Sequence, residues 1–317
     1  MARTMGKPTR DAFGEALRDA GDDERIVVVD GDVNNSTRTE FFAERYPERF
    51  FNVGIAESNL VGVASGLAAE GKTAVAASFS VFLTANAYDQ IRMGVALPGL
   101  NVKLVGSHAG VSIGEDGPSQ MAIEDIALTT ALGGFTVIVP ADEHATRGLT
   151  REMLKMNGPV FLRTGRPKAP VIYDDQSQFE IGEAMLVRSG NDVTIIANGL
   201  MVARALDAAE SLAREGIQAR VLDMHTVKPL DRQAIKRAAS ETRGIVVCEE
   251  HVAHGGLGAA VAMEVATLDP VPMRFVNLGD KYAESGKGDE LMDVYGLSVG
   301  NIVQAATELA SVQRERL

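Results

Sequence analysis

Short, almost wholly apolar segments alternate with helix-length segments along the entire 317-residue chain. In the first half, apolar runs rich in Val, Ile and Phe cover residues 25–32, 73–77, 102–106, 135–139 and 160–162. Patterns of helical length between them cover residues 11–20, 57–70, 83–93 and 143–155. Strands that are apolar throughout are buried on both faces, and intervening helices connect parallel neighbours. The alternation therefore predicts a mostly parallel sheet covered by helices.

The same alternation resumes after a polar stretch at residues 174–178. Strands are predicted at residues 193–197, 218–223 and 244–248, and helices at residues 202–214, 231–240, 257–267 and 299–310. A chain of this length holds two domains of ordinary size. We therefore expect two doubly wound α/β domains with mostly parallel sheets, one spanning residues 1–175 and the other residues 188–317.

Composition excludes several classes of protein. Asp and Glu total 43 against 31 for Lys and Arg, giving a formal net charge of −12. Nucleic acids and anionic membranes attract clustered cations, so neither is expected as a partner. The longest apolar run, Leu60 to Ala69, is about half as long as a membrane span. The N-terminus lacks an apolar signal core, and the single cysteine, Cys248, fits a reducing compartment, so a cytoplasmic protein is expected.

Three polar, glycine-containing loops follow predicted strands, at residues 30–37, 54–59 and 107–120. In open α/β sheets, ligands bind beyond the carboxyl ends of the strands. We therefore expect the functional site where these loops meet.

Glu57 lies between an apolar strand and an apolar helix. A glutamate in a first helical turn is stabilised by the helix dipole, by about 0.3–1 kcal/mol, without any functional role. Alternatively, an apolar pocket raises the pKa of the carboxyl, which can then hold and lend a proton. Phe79 and Phe82 form either part of the core or a flat slot for a heteroaromatic ring. Taken together, the functional alternatives indicate a cofactor whose ring nitrogen needs a proton donor.

Five motifs follow one another in a specific order, namely DGDVNNST (30–37), FFNVGIAESNLVGVASGLA (50–68), SFSVFLTANAYDQIRM (78–93), GSHAGVSIGEDGPSQMAIEDIA (106–127) and FLRTGRP (161–167). In this order they resemble the C-terminal half of a transketolase, its pyrimidine-binding domain followed by its C-terminal domain. The resemblance covers essentially the whole chain. The HAGVSIGEDGPSQ segment favours transketolases over deoxyxylulose-phosphate synthases and the β subunits of 2-oxoacid dehydrogenases.

The resemblance implies that the cofactor is thiamine diphosphate. Glu57 would contact N1′ of the aminopyrimidine ring and supply the proton that activates the cofactor. Phe79 and Phe82 would line the pocket of the same ring. The full set of cofactor-binding residues that the resemblance implies is Asp32, Glu57, Phe79 and Phe82.

The resemblance also implies catalytic residues in the 107–120 loop. His108, Asp116 and Gln120 match substrate-facing positions and complete the catalytic set with Glu57. Gln120 can donate a hydrogen bond but cannot transfer a proton. Outside the family context, this segment would be a glycine-rich surface turn.

A further set of residues resembles the family's sugar-phosphate site, namely Arg10, Ser36, His108 and Arg163. Arginine offers a bidentate fork, serine a neutral donor and histidine a donor whose charge depends on pH. The alternatives are a strand-end salt bridge for Arg163 and a solvated terminal charge for Arg10.

Transketolases bind the diphosphate through a divalent cation, using a GDG motif with a downstream Asn. No such pair occurs at the family spacing here, and the five histidines lack the spacing of a zinc site. By resemblance, the diphosphate and Mg²⁺ are bound by a separate N-terminal subunit, and no metal ligand is expected on this chain. The two chains would form a hetero-oligomer, most simply α2β2, with paired pyrimidine-binding domains.

The expected activity is that of a two-chain transketolase of the pentose phosphate type, which moves a two-carbon ketol unit from a ketose phosphate to an aldose phosphate. The alternative enzymes are a related split thiamine enzyme acting on a branched, sulfonated or biosynthetic sugar, a deoxyxylulose-phosphate synthase, and a 2-oxoacid dehydrogenase β subunit. An inactive binding or regulatory subunit is the alternative from another class. The presence of Glu57, Asp116 and Arg163 favours an enzyme.

Overall fold

The computed structural model describes residues 3–268 and 270–312. The outermost ends of the two predicted domains, residues 1–2 and 313–317, lie outside the described residues. The described strands are β1 Met5–Pro8, β2 Ile26–Asp30, β3 Phe50–Asn52, β4 Thr73–Phe79, β5 Val102–Ser107, β6 Thr136–Ile138, β7 Val160–Arg163, β8 Lys168–Pro170, β9 Met185–Arg188, β10 Val193–Ala197, β11 Ala219–Asp223, β12 Thr226–Lys228, β13 Ile245–Cys248 and β14 Met273–Val276.

The described α-helices are α1 Thr9–Asp19, α2 Asn34–Thr37, α3 Glu40–Arg45, α4 Glu57–Ala69, α5 Tyr88–Gln90, α6 Asp125–Thr130, α7 Glu143–Lys155, α8 Met201–Arg214, α9 Arg232–Glu241, α10 Leu257–Leu268, α11 Gly288–Val294 and α12 Val299–Ala310. Short 3₁₀ turns occur at Pro47–Arg49 and Val111–Ile113.

The first sheet has the strand order β12-β6-β7-β5-β4-β2-β3, and only β12 is antiparallel to its neighbour among these described strands. Its strands are apolar on both faces because helices cover both. Val28 of β2 packs in one cluster with residues of α1 and α7, whereas Val27 and Val29 pack in another with residues of α4. This alternation along one strand produces a buried, doubly covered sheet.

The second sheet has the strand order β14-β13-β10-β11-β9, with only β9 antiparallel among the described strands. Ile195 of β10 packs in one cluster with residues of α8 and α12, whereas Ile196 packs in another with residues of α9 and α10. The prediction of two mostly parallel α/β domains is therefore confirmed.

Several strands were not predicted, and most of them are short and lie at sheet edges. β9 and β14 border the second sheet, and β1 pairs only with β8 among the described strands. β12 lies in the second half of the chain, yet Thr226 pairs with Ile138 at the edge of the first sheet. The two sheets are thus joined by a strand that crosses the expected domain boundary, and the domain limits stay a prediction.

The segment predicted as one helix at residues 83–93 is irregular. π-Helical turns at Phe82–Asn86 and Ile91–Ala96 flank the single turn of α5. The Thr84 hydroxyl donates to the Ser80 carbonyl at 2.7 Å, and such bonds to the preceding turn compete with regular helix geometry. Phe82 begins the first of these turns, three residues after the last residue of β4.

The two domains share part of their hydrophobic core. One cluster includes Leu60 and Leu104 of the first domain together with Leu222 and Leu257 of the second, all buried. Cys248 is buried in the core of the second domain. No helix within residues 3–268 and 270–312 is both long and apolar enough to cross a membrane.

Candidate functional site

Glu57 is the first residue of α4, and its side chain is buried, with only 6% of the residue exposed. The Ser78 hydroxyl, from β4, donates to Oε1 of Glu57 at 3.0 Å. The carboxyl therefore has both features that the sequence suggested, a position in the first helical turn and a largely water-free environment. Ser78 orients Oε1, and within the described part of the chain no hydrogen bond to Oε2 is seen.

Phe79 ends β4, and Phe82 begins the first π-turn. Their ring centroids lie 6.0 Å apart and their planes differ by 10°. His108 stacks on Phe79 with a centroid distance of 4.0 Å and an angle of 11°. Three nearly parallel rings thus lie at the carboxyl ends of β4 and β5, and both phenylalanines are only partly buried. They belong to the surface of the site rather than to the core.

His108 is held in one tautomer by its two neighbours. Nε2 lies 3.0 Å from Nη1 of Arg10, and Nδ1 lies 2.9 Å from the Ser107 hydroxyl. A guanidinium can only donate, so Nε2 accepts and Nδ1 carries the proton. Burial, together with the charges of the nearby arginines, lowers the pKa of His108 to about 3. His108 is therefore neutral at pH 7, and the expected pH-dependent charge has no role near neutrality.

Three arginines surround His108, namely Arg10, Arg38 and Arg166, and we call them the arginine cluster. Each acts electrostatically on the His108 ring. Arg10 also donates to the Ser36 carbonyl at 3.1 Å, so Ser36 meets Arg10 through its backbone. Burial and the charge of Arg38 lower the pKa of Arg10, but a guanidinium stays charged at neutral pH. Arg38 is paired with Asp11 at 2.7 Å and with Glu40 at 3.0 Å, so carboxylates lie among the cations of this cluster.

Asp116 joins the arginine cluster from the 107–120 loop. Its Oδ2 lies 3.4 Å from Nη1 of Arg166, and both side chains are 37% exposed. Gln120 is half-buried in the same loop, and its Oε1 accepts a hydrogen bond from the Ser119 hydroxyl at 2.7 Å. Asp116 and Arg166 both act electrostatically on Arg10, so Asp116 lies beside the arginine cluster.

Arg163 lies outside the arginine cluster. It ends the fully buried strand β7, is 6% exposed, and its Nε donates to Oδ2 of Asp125 at 2.8 Å. Its Nη2 donates to the carbonyls of Ala122 and Glu250 at 2.8 and 3.0 Å. The contact with Asp125 is the strand-end salt bridge that the sequence offered as the alternative role of Arg163. Arg166, beyond the end of the strand, is the arginine of this motif that reaches the site.

Asp32 lies at the rim of the site. It follows β2 in a left-handed conformation with φ of 66°, and its exposed carboxylate accepts a hydrogen bond from Asn52 at 2.7 Å. The neighbouring Asp30 is buried and orders the 30–37 loop by accepting hydrogen bonds from Val33, Thr37 and Thr39. Burial raises the pKa of Asp30.

The described part of the chain contains no group of three or more His, Cys, Asp or Glu side chains that could hold a metal ion. Among these residues, the site therefore consists of a buried carboxyl, an aromatic stack and a set of arginines.

Comparison with known proteins identifies both domains. Residues 6–171 match the family "Transketolase, pyrimidine binding domain", and residues 182–302 match "Transketolase, C-terminal domain". The chain is thus a pyrimidine-binding α/β domain joined to a second α/β domain of a family of cofactor-dependent transferases. It belongs to the transketolase family, as the sequence motifs indicated.

Individual relatives cover the chain to different extents. The 6-deoxy-6-sulfo-D-fructose transketolase subunit SqwH of Clostridium sp. (strain MSTE9) is 41% identical over 301 residues, which are 95% of this chain and 94% of that protein. Human transketolase is 40% identical over 306 residues, which are 95% of this chain but only 49% of that enzyme. The chain therefore spans about half the length of such relatives.

A solved structure described as "Split gene transketolase, inactive beta4 tetramer" matches the fold with a TM-score of 0.91 and 42% identity. The match covers 98% of this chain and 100% of that one.

Proposed function

We propose that the chain is the C-terminal subunit of a thiamine-diphosphate-dependent transketolase that moves a two-carbon ketol unit between sugars. The observation that carries this proposal is the buried Glu57 carboxyl at the carboxyl end of the sheet that also carries the Phe79–His108 stack. The match of residues 6–171 to a pyrimidine-binding domain supports it.

The residues present fit a pyrimidine ring. Phe79 and Phe82 offer parallel apolar faces, and Glu57 offers a carboxyl oriented through one oxygen by Ser78. When bound, thiamine diphosphate supplies a carbon nucleophile that takes up and passes on the two-carbon unit. In our proposal, Glu57 holds a proton at N1′, the phenylalanines exclude water from the ring, and Asp32 lies at the cofactor's edge. Mg²⁺ and the diphosphate are assigned to the partner subunit.

The substrate's anionic end is proposed to bind at the arginine cluster. Arg10 and Arg166 supply charged donors, with Ser36 beside them, and Arg166 replaces Arg163 in this role because Arg163 is buried and paired. Neutral His108 would fix the position of Arg10, and Asp116 and Gln120 would contact sugar hydroxyls. A sugar phosphate fits this arrangement.

A sulfonated sugar is the second candidate substrate. The observation that favours it is the 41% identity to a subunit named for 6-deoxy-6-sulfo-D-fructose. Phosphate and sulfonate both present anionic oxygens to a guanidinium, so the arginine cluster accommodates either. The ratio of kcat/KM for a phosphorylated ketose to kcat/KM for a sulfonated ketose decides between the two candidates.

Replacing Arg166 with Ala should raise the KM for a phosphorylated or sulfonated ketose by about 10- to 100-fold, because a hydrogen bond to a charged group contributes about 1.5–3 kcal/mol. The kcat should change much less, since Arg166 is proposed to bind the anionic end of the substrate and Glu57 to act on the cofactor. An unphosphorylated ketose is the matched control substrate, and its KM should stay near the wild-type value. Equal effects on both substrates would remove Arg166 from this role.

A surface next to Glu57 has the character of a subunit contact. Ile55 and Leu97 are 79% and 74% exposed, and Met93 is 48% exposed. On α4, Gly62 and Gly66 are exposed one turn apart with open space above them. Small residues at this spacing let another helix approach closely, and apolar exposed residues favour burial in an assembly. We propose that this face contacts other subunits in an α2β2 assembly.

The chain alone should show no ketol transfer and should gain it on mixing with a separate diphosphate-binding subunit, thiamine diphosphate and Mg²⁺. Mixing with the partner should also change the oligomeric state measured by light scattering. A relative of similar length is described as an inactive β4 tetramer, which supports an inactive lone chain. Turnover by the purified chain without a partner would contradict the two-subunit proposal.

A further inference from the structure

A buried charged cluster connects the second domain to the 107–120 loop. We call it the junction cluster and define it as Asp125, Arg163 and Glu250. All three are at most 6% exposed. Asp125 begins α6 and Arg163 ends β7, both in the first domain, whereas Glu250 follows β13 in the second. The cluster therefore lies where the strand ends of the two sheets meet.

Glu250 contacts the beginning of the 107–120 loop. Its Oε1 accepts a hydrogen bond from the Ser112 backbone N–H at 2.5 Å. At Gly110, where φ is 82°, an added Cβ would lie 2.2 Å from the Glu250 carboxyl carbon. The loop thus lies directly on this carboxyl, and glycine is needed for that approach as well as for the left-handed backbone.

Arg163 and Asp125 extend the junction cluster to the end of the loop and to the aromatic stack. Arg163 donates to the Ala122 carbonyl at 2.8 Å and to the Glu250 carbonyl at 3.0 Å. Asp125 accepts from the Ser80 hydroxyl at 2.6 Å, and Ser80 directly follows Phe79. One buried cluster therefore contacts the loop at Ser112, the chain just beyond the loop at Ala122, and the segment that carries the stacked rings.

We propose that Glu250 is a positioning residue, through which the second domain holds the 107–120 loop so that His108 and Asp116 face the substrate. The carboxyl acts through the Ser112 N–H and touches no reacting atom. This inference deepens the proposed function and rests on it for the consequences on activity. Its structural part, control of the loop by the second domain, stands on the contacts of this chain alone.

Glu249 provides a matched control. It is the neighbouring glutamate, is equally buried, and accepts hydrogen bonds from the N–H groups of Leu257 and Gly258, both at 2.7 Å. These groups begin α10, away from the 107–120 loop. Replacing Glu249 removes a buried carboxyl of the same kind without removing the contact to Ser112.

Hydrogen exchange on the isolated chain tests the structural part. Glu250→Ala should raise amide exchange at residues 110–120 by about tenfold or more, because the Ser112 N–H loses a charged acceptor. Glu250→Gln keeps an oxygen acceptor and should restore most of the protection. Glu249→Ala should raise exchange at residues 255–260 instead. An equal rise at residues 110–120 in the Glu249 and Glu250 variants would overturn the inference.

Kinetics on the reconstituted two-subunit enzyme test the functional part. Glu250→Ala should raise the KM for sugar substrates by about tenfold, with the affinity for thiamine diphosphate within about twofold of wild type. A change in the folded fraction alone would lower kcat without raising KM. If Glu250→Ala does not fold, Glu250→Leu carries the same expectation, since it removes the acceptor and fills the volume. An unchanged KM in a folded variant would overturn the positioning role.

The two proposals fail in different ways. If the wild-type mixture shows no ketol transfer, the proposed function fails, while the exchange pattern at residues 110–120 still decides the role of Glu250. If the wild-type mixture is active and Glu250→Ala matches it in both exchange and KM, only the positioning role fails.

Discussion

Replacing Glu57 with Gln is expected to reduce ketol transfer by about 10²- to 10⁴-fold in the reconstituted enzyme, the usual contribution of a positioned proton donor. Gln keeps the shape of the side chain and can still accept the hydrogen bond from Ser78. Its amide can donate a hydrogen bond to a ring nitrogen but cannot transfer a proton to it. The variant therefore removes the proton and leaves the packing, so turnover under saturating thiamine diphosphate reports on the proton alone.

The same helix supplies the control for this variant. Glu70 is the exposed residue that caps the C-terminal end of α4, and Glu70→Gln should leave turnover unchanged. If Glu57 only interacts with the helix dipole, Glu57→Gln should cost about 0.3–1 kcal/mol in the free energy of unfolding and leave turnover intact. Turnover of Glu57→Gln within tenfold of wild type would thus support the purely structural interpretation.

Much of the fold could be predicted because the central strands carry a strong signal. β2 and β10 are apolar at almost every position, and only burial on both faces stabilises such a strand in water. β12 carries no comparable signal. It has three residues, and its place beside β6 depends on the contact between the two domains, which no local pattern encodes.

The irregular segment after β4 shows a second limit of prediction from the sequence. Its apolar residues recur at helical spacing, and the π-turns shift that spacing by only one residue. The cause is a set of local contacts, such as the bond from Thr84 to the Ser80 carbonyl. Periodicity predicts that a helix exists and cannot distinguish its hydrogen-bond pattern.

For the site, sequence motifs located the loops but not the direction of each side chain. The FLRTGRP motif contains two arginines, and the family resemblance assigned Arg163 rather than Arg166 to the phosphate site. The burial of β7 distinguishes them, because its four residues are buried and Arg163 is the last of them. Arg166 lies in the loop beyond, where ligands of such sheets bind. The apolar run directly before Arg163 indicates that Arg163 is buried, and it therefore favours Arg166 as the arginine that reaches the site.

Replacing Arg163 with Ala is expected to lower the free energy of unfolding by about 3–5 kcal/mol, because removing one partner of a buried ion pair leaves the other charge uncompensated. Asp125 and Glu250 would both remain in the junction cluster without their cation. The midpoint of urea unfolding, followed by circular dichroism, measures this loss. Arg166→Ala is the control, and it should cost less than about 1 kcal/mol because its pair with Asp116 is partly exposed.

The loss in Arg163→Ala should also depend on pH. Burial raises the pKa of Glu250 above its ordinary value, and the charge of Arg163 opposes that rise. Without Arg163 the pKa rises further, so the folded variant binds more protons than the unfolded chain above the ordinary pKa of about 4.3. Its stability relative to wild type should therefore fall as the pH rises above that ordinary value. A stable Arg163→Ala variant with a raised KM only for phosphorylated sugars would instead return Arg163 to the phosphate site.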